Sequence, residues 1–196
     1  MILTLIRHGE TQANRRRLYY GVTDLPLLPE SVRALRENAK NYPAAAHYYT
    51  SGMLRTEQTF AAIYGDTPHE ALAGLREMDF GDFEMHSYEE LKLLPAYQAW
   101  IADVEHTRCP NGESPDEVRA RALAAAEPLI LRGEDCVCVT HGGVIAALMT
   151  AWFGGTRYDH TPAPGGGFRV AFCGGRPAAW EPLFEKKTEL RAGVRP

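Results

Sequence analysis

Two histidines stand where the chain pattern invites chemistry. His8 follows the apolar run Met1 to Ile6, with Arg7 before it and Gly9 after it, and His141 follows a second apolar run and precedes Gly142 and Gly143. A lone histidine is ordinarily structural, but a shared strand-then-His-Gly setting makes the pair a candidate site. Imidazole is a competent nucleophile near neutral pH when one ring nitrogen is unprotonated and a backbone carbonyl holds the other as N–H. Arginines beside it favour that neutral form. Ser51, Arg55 and Thr59 are spaced by four and share one face near a helix start, which carries a second guanidinium toward the same place. Arg7 and Arg55 around two histidines suit a phosphoryl group, whose oxygens match guanidinium forks. Gly142 opens a helix whose N-terminal dipole adds to the pull on an anion.

The elements that position these residues are legible from periodicity. ILTLI at 2–6 and CVCVT at 136–140 read as buried parallel strands, each ending at a histidine, and HYYTS at 47–51 reads as a weaker third. Helical spacing is expected over 29–42 (Val32, Leu35, Ala39 and Tyr42, with Pro29 in the first turn and Leu28 as a poor N-cap). Further helices are expected over 53–64, over 115–132, and from just after Gly142 through VIAALMTAWF; 87–107, broken at Pro95, reads as a helical pair. GFRVAF and AAWEPLF around CGGRP signal a hairpin between 165 and 184. Strands alternating with helices imply a three-layer α/β/α sandwich with a mostly parallel central sheet. In such sheets ligands bind beyond the carboxyl ends of the strands, where His8, Ser51 and His141 fall. One domain over 1–196 is expected, with 185–196 as a loose charged tail.

Composition narrows the partners. Lys and Arg number 21 against 25 Asp and Glu, a net charge of −4, so no global basic field attracts nucleic acid. The basic run Arg15 to Arg17 reads first as a solvated patch and second as a face for an anionic ligand. No apolar stretch approaches the ~20 residues of a membrane helix. The four cysteines, with no secretion signal before them, read as free thiols in a reducing cytoplasm. Cys136 and Cys138 point to one side of a strand and read as packing residues, with no metal or cofactor expected.

Five ordered motifs, RHGETQAN, SGMLRTEQT, LREMDFGDFE, NGES and VTHGG, resemble the histidine phosphatase superfamily, also called phosphoglycerate-mutase-like, over about residues 3 to 150. The resemblance implies that His8 is a phosphoryl acceptor, that Arg7, Asn14, Arg55 and His141 bind the phosphoryl group, and that Glu77 donates the proton. Tyr20 and Gly21 fall on the substrate side. Asp79, Asp82 and Glu84 are rival carboxylates; only the family pattern ranks Glu77 above them.

The chain departs from the family pattern at Leu18, Tyr20, Leu28, Ser31, Met85 and Ala146, and Tyr20, Glu84 and Met85 are expected to line the leaving-group side. The small-phosphatase branch, and within it the alpha-ribazole phosphatases, is the nearest in length and motifs. This implies metal-free hydrolysis of a small phosphorylated metabolite by a monomer or homodimer. A phosphoglycerate mutase using the same phosphohistidine is the alternative, although the interval between Glu77 and His141 is short for one. A silent pocket that senses a phosphorylated ligand is a third reading, opposed by the presence of His8, Glu77 and His141.

Overall fold

Strand β1 (Ile2–Arg7) is central because it has no polar side chain that needs water before Arg7, and its residues 3 to 6 are all buried. It pairs in parallel with β4 (Cys136–Thr140), which is buried along its whole length. In the computed structural model, which describes residues 1–184, six strands form one sheet in the order β3-β2-β4-β1-β5-β6. Strands β2 (His47–Thr50), β3 (Glu70–Ala71), β4 and β1 run parallel, and β5 (Gly167–Cys173) and β6 (Arg176–Pro182) extend the sheet as an antiparallel hairpin. The mostly parallel α/β sandwich expected from the sequence is the observed architecture.

Alternation along the strands builds a core on each face. Leu3, Leu5, Cys136 and Cys138 pack with Val118, Ala122 and Leu129 of α6 (Pro115–Arg132) and Ile145 and Leu148 of α7 (Gly142–Phe153). Ile6, Val137 and Val139 face the other way, toward Leu35 of α2 (Pro29–Asn38) and Phe60 and Ile63 of α3 (Leu54–Tyr64). The Cys136 and Cys138 thiols are thus core packing, and neither forms a disulfide. Among the described residues no helix is long and apolar enough to cross a membrane.

Most expected element bounds hold to within a residue or two, and two differ for local reasons. Helix α2 ends at Asn38 and passes through a 3-10 turn at Ala39–Asn41, because Tyr42 precedes Pro43 and takes an extended backbone. The helical pair of 87–107 is shorter than expected: α4 (Tyr88–Leu91), capped by Ser87 and Glu90, and α5 (Pro95–Ala102), which stops where Asp103 leaves helical geometry. A short α1 (Gln12–Arg16) follows the first histidine, capped by Thr11. The charged tail expected at 185–196 lies outside the described residues.

The consequence for function is positional. In the parallel register Arg7 lies beside Thr140 and Thr50 beside Val139, so His8, His141 and Ser51 emerge together at one edge of the sheet. The core makes a stability prediction. Leu5→Ala, at a fully buried position on β1, is expected to cost about 2–5 kcal/mol in urea unfolding. Leu131→Ala, on an exposed turn of α6, should stay within about 0.5 kcal/mol of the parent.

Candidate active site

His8 is held in one tautomer. Its backbone N–H continues the parallel ladder to the Thr140 carbonyl (2.9 Å), and its ring Nδ1 lies 2.6 Å from the Gly9 carbonyl, which can only accept. Nδ1 therefore carries the proton and Nε2 keeps its lone pair. Gly9 is itself fixed: its N–H donates to Thr59 Oγ1 (2.9 Å), and that hydroxyl donates to the Arg55 carbonyl one helical turn back. Burial is the largest cause that holds the His8 pKa well below 6.5, and the Arg55 and Arg7 charges push it the same way.

His141 sits 5.2 Å from His8, ring centre to ring centre, and is fully buried. Arg55 Nε donates to His141 Nδ1 (3.2 Å), and since arginine only donates, the proton of the neutral ring is on Nε2. That N–H faces Ser51 Oγ at 2.8 Å, which bonds Thr56 Oγ1, which in turn donates to the Met53 carbonyl. Ser51 and Thr56 thus orient the second histidine. Burial again dominates in holding the His141 pKa well below 6.5, with Arg55 next.

Arg55 is 0% exposed and spends its N–H groups on the Gly21 carbonyl (2.7 Å), the Thr23 carbonyl (3.1 Å) and Asp24 Oδ1 (3.4 Å), with its Cζ 4.9 Å from the Tyr20 ring centre. Arg7 donates to the Pro162 carbonyl (2.7 Å) and lies against Gly142, where a Cβ would come within 3.2 Å of its Cζ. Its buried Nε has no partner. Asn14 Oδ1 accepts from the Thr11 N–H and the Tyr20 hydroxyl, which leaves its Nδ2 as a donor without a partner among the described residues. Glu77 lies opposite. Its Oε2 accepts from the Gly143 N–H (3.1 Å) at the start of α7, and its Oε1 from the Met78 N–H (3.0 Å).

These groups meet at a cleft of about 210 Å³ whose polar lining includes Arg7, His8, Asn14, Glu77, Gly142 and Gly143. Arg55 and His141 lie immediately behind His8 and do not line the cleft surface. Leu18, Tyr19, Tyr20, Met78, Phe80, Val118, Ala146 and Ala147 make an apolar wall. Tyr19 and Phe80 are backed by Trp100, with ring centres at 5.6 and 6.5 Å.

Three expected lining residues are elsewhere. Gly21 gives its N–H to Glu84 and its carbonyl to Arg55, and it packs so tightly that a Cβ would sit 1.5 Å from the Met78 carbonyl oxygen. Glu84 accepts from the N–H groups of Gly21, Val22, Thr23 and Phe80 and from the Thr23 hydroxyl, so it anchors a loop instead of facing a substrate. Met85 packs beside Ala13, Leu18 and Tyr20 with φ 62°, a left-handed conformation that accounts for the glycine frequent there in the resembled pattern. Of the basic run, Arg15 is engaged on the surface by Glu10 and Glu30.

Sequence reasoning also missed Arg121. It forms a two-point ion pair with Glu113 (2.8 Å each) and donates to the carbonyls of Gly74, Arg76 and Glu77, stapling the segment that bears Glu77. Its only sequence signal is the Glu of NGES, whose partner lies on a different element. Asp79 and Asp82 are also structural: Asp79 caps the Gly81 N–H, and Asp82 accepts from Asn111.

The comparisons with known proteins agree with this fold. A structure described as a putative alpha-ribazole-5'-P phosphatase from Escherichia coli superposes with a TM-score of 0.83 at 25% identity, covering 91% of this chain and 93% of that one. The fold is therefore the phosphoglycerate-mutase-like α/β sandwich. Residues 3–164 match the family model of the histidine phosphatase superfamily, branch 1, and the chain belongs to that family. It is 31% identical to the adenosylcobalamin/alpha-ribazole phosphatase of Escherichia coli over 166 residues, 79% of this chain and 80% of that protein. It is 29% identical to a 2,3-bisphosphoglycerate-dependent phosphoglycerate mutase of Rhizobium etli over 161 residues, 74% of this chain and 77% of that one.

Two predictions follow from the geometry. Because the folded pKa of both histidines lies below the unfolded value near 6.5, the unfolded chain binds more protons as pH falls, and their contribution to stability is full above 6.5 and is lost below it. Denaturation curves at pH 7.5 and 5.5 should show a loss of about 1 kcal/mol per histidine, reduced by one such increment in His8→Gln. Gly143→Ala places a Cβ 2.5 Å from Glu77 Oε1, so its crystal structure should show Glu77 displaced while the sheet is unchanged.

Proposed function

We propose that the protein is a phosphatase that hydrolyses a small phosphomonoester through a phosphohistidine on His8, without a metal. The observation that carries the reading is the fixed His8 tautomer, which leaves Nε2 a lone pair under the charges of Arg55 and Arg7, with Glu77 lining the same cleft. The substrate's phosphoryl group seats against Arg7 and the Asn14 Nδ2 at the cleft surface, with the Arg55 charge behind. His8 Nε2 attacks phosphorus, the bond from phosphorus to the leaving oxygen breaks, and Glu77 in its acid form gives that oxygen a proton. Water then attacks the phosphohistidine, Glu77 takes its proton back, and inorganic phosphate leaves with His8 regenerated.

Phosphoryl transfer demands mainly alignment and charge stabilisation, which the arginines supply here. Among the described residues there is no cluster of three or more acidic, histidine or cysteine side chains that could hold a metal ion. The backed apolar wall of Tyr19, Phe80 and Val118 suits an organic leaving group with an apolar face. The relative named for alpha-ribazole adds that ester to the substrates worth testing. The mutase alternative uses the same phosphohistidine and draws on relatives and a solved structure named as phosphoglycerate mutases.

Phosphate release from an aryl phosphate and a panel of sugar, nucleotide, glycerate and ribazole phosphates, in EDTA, tests the reading. Release should survive EDTA and vanish in His8→Ala, and Glu77→Gln should lower kcat by about 10²–10⁴-fold, the usual weight of general acid–base help. Acid-labile phosphate should appear on His8 in a quenched reaction. Isomerisation of a phosphoglycerate without net release overturns the hydrolytic reading, and so does release that stops in EDTA.

A further inference from the structure

Glu77 lines the cleft from a stretch of chain with little regular structure of its own. The run from Ala73 to Asp79 makes one 3-10 turn at Ala73–Leu75 and leaves helical geometry at Arg76. The Glu77 carboxylate accepts from the Gly143 N–H and from the N–H of its own neighbour Met78. Its place in the cleft is set by what grips the backbone beneath it. Four successive carbonyls, those of Gly74, Leu75, Arg76 and Glu77, each accept from a side chain of another element. Thr140, the residue before His141, donates to Leu75 (2.7 Å), and Arg121 of α6 donates to the other three (2.9, 2.6 and 3.0 Å).

Arg121 is fully committed to this task. Its Nε and Nη2 also reach Glu113 (2.8 Å each), so all five N–H groups of the guanidinium are in use. Glu113 meets its charge, accepts from the Asp79 N–H (3.0 Å) and gives its own N–H to the Asp79 carbonyl (2.8 Å). The pair therefore closes on the backbone both before and after Glu77. The base beneath it is firm: Ser114 and Glu117 cap α6, and Val118, Ala122, Ala126 and Leu129 bury it in the core. Gly74 lets the run lie flat on that helix, since a Cβ there would come within 2.8 Å of the Ala125 Cβ and 3.0 Å of the Arg121 carbonyl oxygen. Arg121 is not among the residues that line the cleft.

We propose that Arg121, with Glu113 as its counter-ion, is a positioning residue for proton transfer: it holds the backbone of Glu77 so that the carboxyl reaches the leaving oxygen, and it touches no substrate itself. The role rests on the reading of Glu77 as the proton donor. Because Glu113 offsets the Arg121 charge, the grip brings no net charge toward the cleft, and its effect falls on proton transfer and not on binding of the anion. Displacement of a reacting group by ~1 Å can cost about 10²-fold in rate, so a group remote from the substrate can carry this much.

Two esters with aromatic leaving groups of opposite need separate that role from general support of the fold. A benzyl alkoxide must receive a proton as it leaves, whereas 2,4-dinitrophenolate leaves without one. kcat/KM is read because it ends at departure of the first product, ahead of the water step. Arg121→Met should lower it about 10²-fold on benzyl phosphate and by no more than about threefold on 2,4-dinitrophenyl phosphate. Arg121→Lys should restore part of the benzyl rate, and Gly74→Ala, which leaves Arg121 in place, should show the same split at smaller size. Added to Glu77→Gln, Arg121→Met should cost nothing further on benzyl phosphate, since groups that act as a unit are not additive. Equal losses on the two esters, or losses that multiply in the double variant, overturn the positioning role and leave the phosphatase reading standing. A Glu77→Gln variant without the split defeats the reading of Glu77 as acid and the positioning role with it.

Discussion

The positive charge of Arg55 is the constraint around which the site is built. A guanidinium with no solvent exposure is costly to desolvate, and here its partners are mostly neutral carbonyls, with Asp24 as the one carboxylate, 3.4 Å away and itself part-exposed. Carbonyl dipoles satisfy its N–H groups without cancelling its charge. Burial first, and this surplus after it, hold both imidazoles neutral, and a neutral imidazole is the form with a lone pair to offer. The same surplus favours an anion beside His8 in the cleft. Asp24 also accepts from the Leu54 N–H, so the one carboxylate paired with the charge fixes the start of the helix that carries it.

The acidic residues around the cleft divide by what already occupies them. Glu84 takes four backbone N–H groups and a hydroxyl, and so sets the loop whose carbonyls receive Arg55. Glu113 is saturated by Arg121 and the Asp79 N–H, and Arg121 in turn holds the Glu77 backbone. Glu77 lies at the cleft with only two backbone donors. Its freedom is the result of its neighbours being spent.

The wall of the cleft depends on a separate piece of packing. Helix α5 contributes Tyr97 and Trp100, which stack with Tyr19, Phe80 and Phe83 into one aromatic cluster continuous with the core. Side chains locked in such a cluster lose little freedom on meeting a ligand. The apolar side of the cleft is therefore set by Tyr19 and Phe80 together with Ala146 and Ala147 of α7.

The sequence alone determined the long strands and most of the helices, though not β3 or α1, and the edge where the histidines emerge, because those follow from local periodicity and from the rule that parallel strands share an open carboxyl end. It also placed Arg55 one turn before Thr59 on a helix that starts beside that edge, but Ser51, expected on the same helical face, lies ahead of α3 and comes to His141 from the end of β2. What only the tertiary structure decided is which polar group meets which across long stretches of chain. The separation of Glu77 from Glu84, the use of Gly21 as a packing residue, and the staple from Arg121 each depend on contacts between segments distant in sequence. Residue type gives a carboxylate its chemistry, but burial and prior hydrogen bonds decide whether that chemistry is available, and these are properties of the assembled fold.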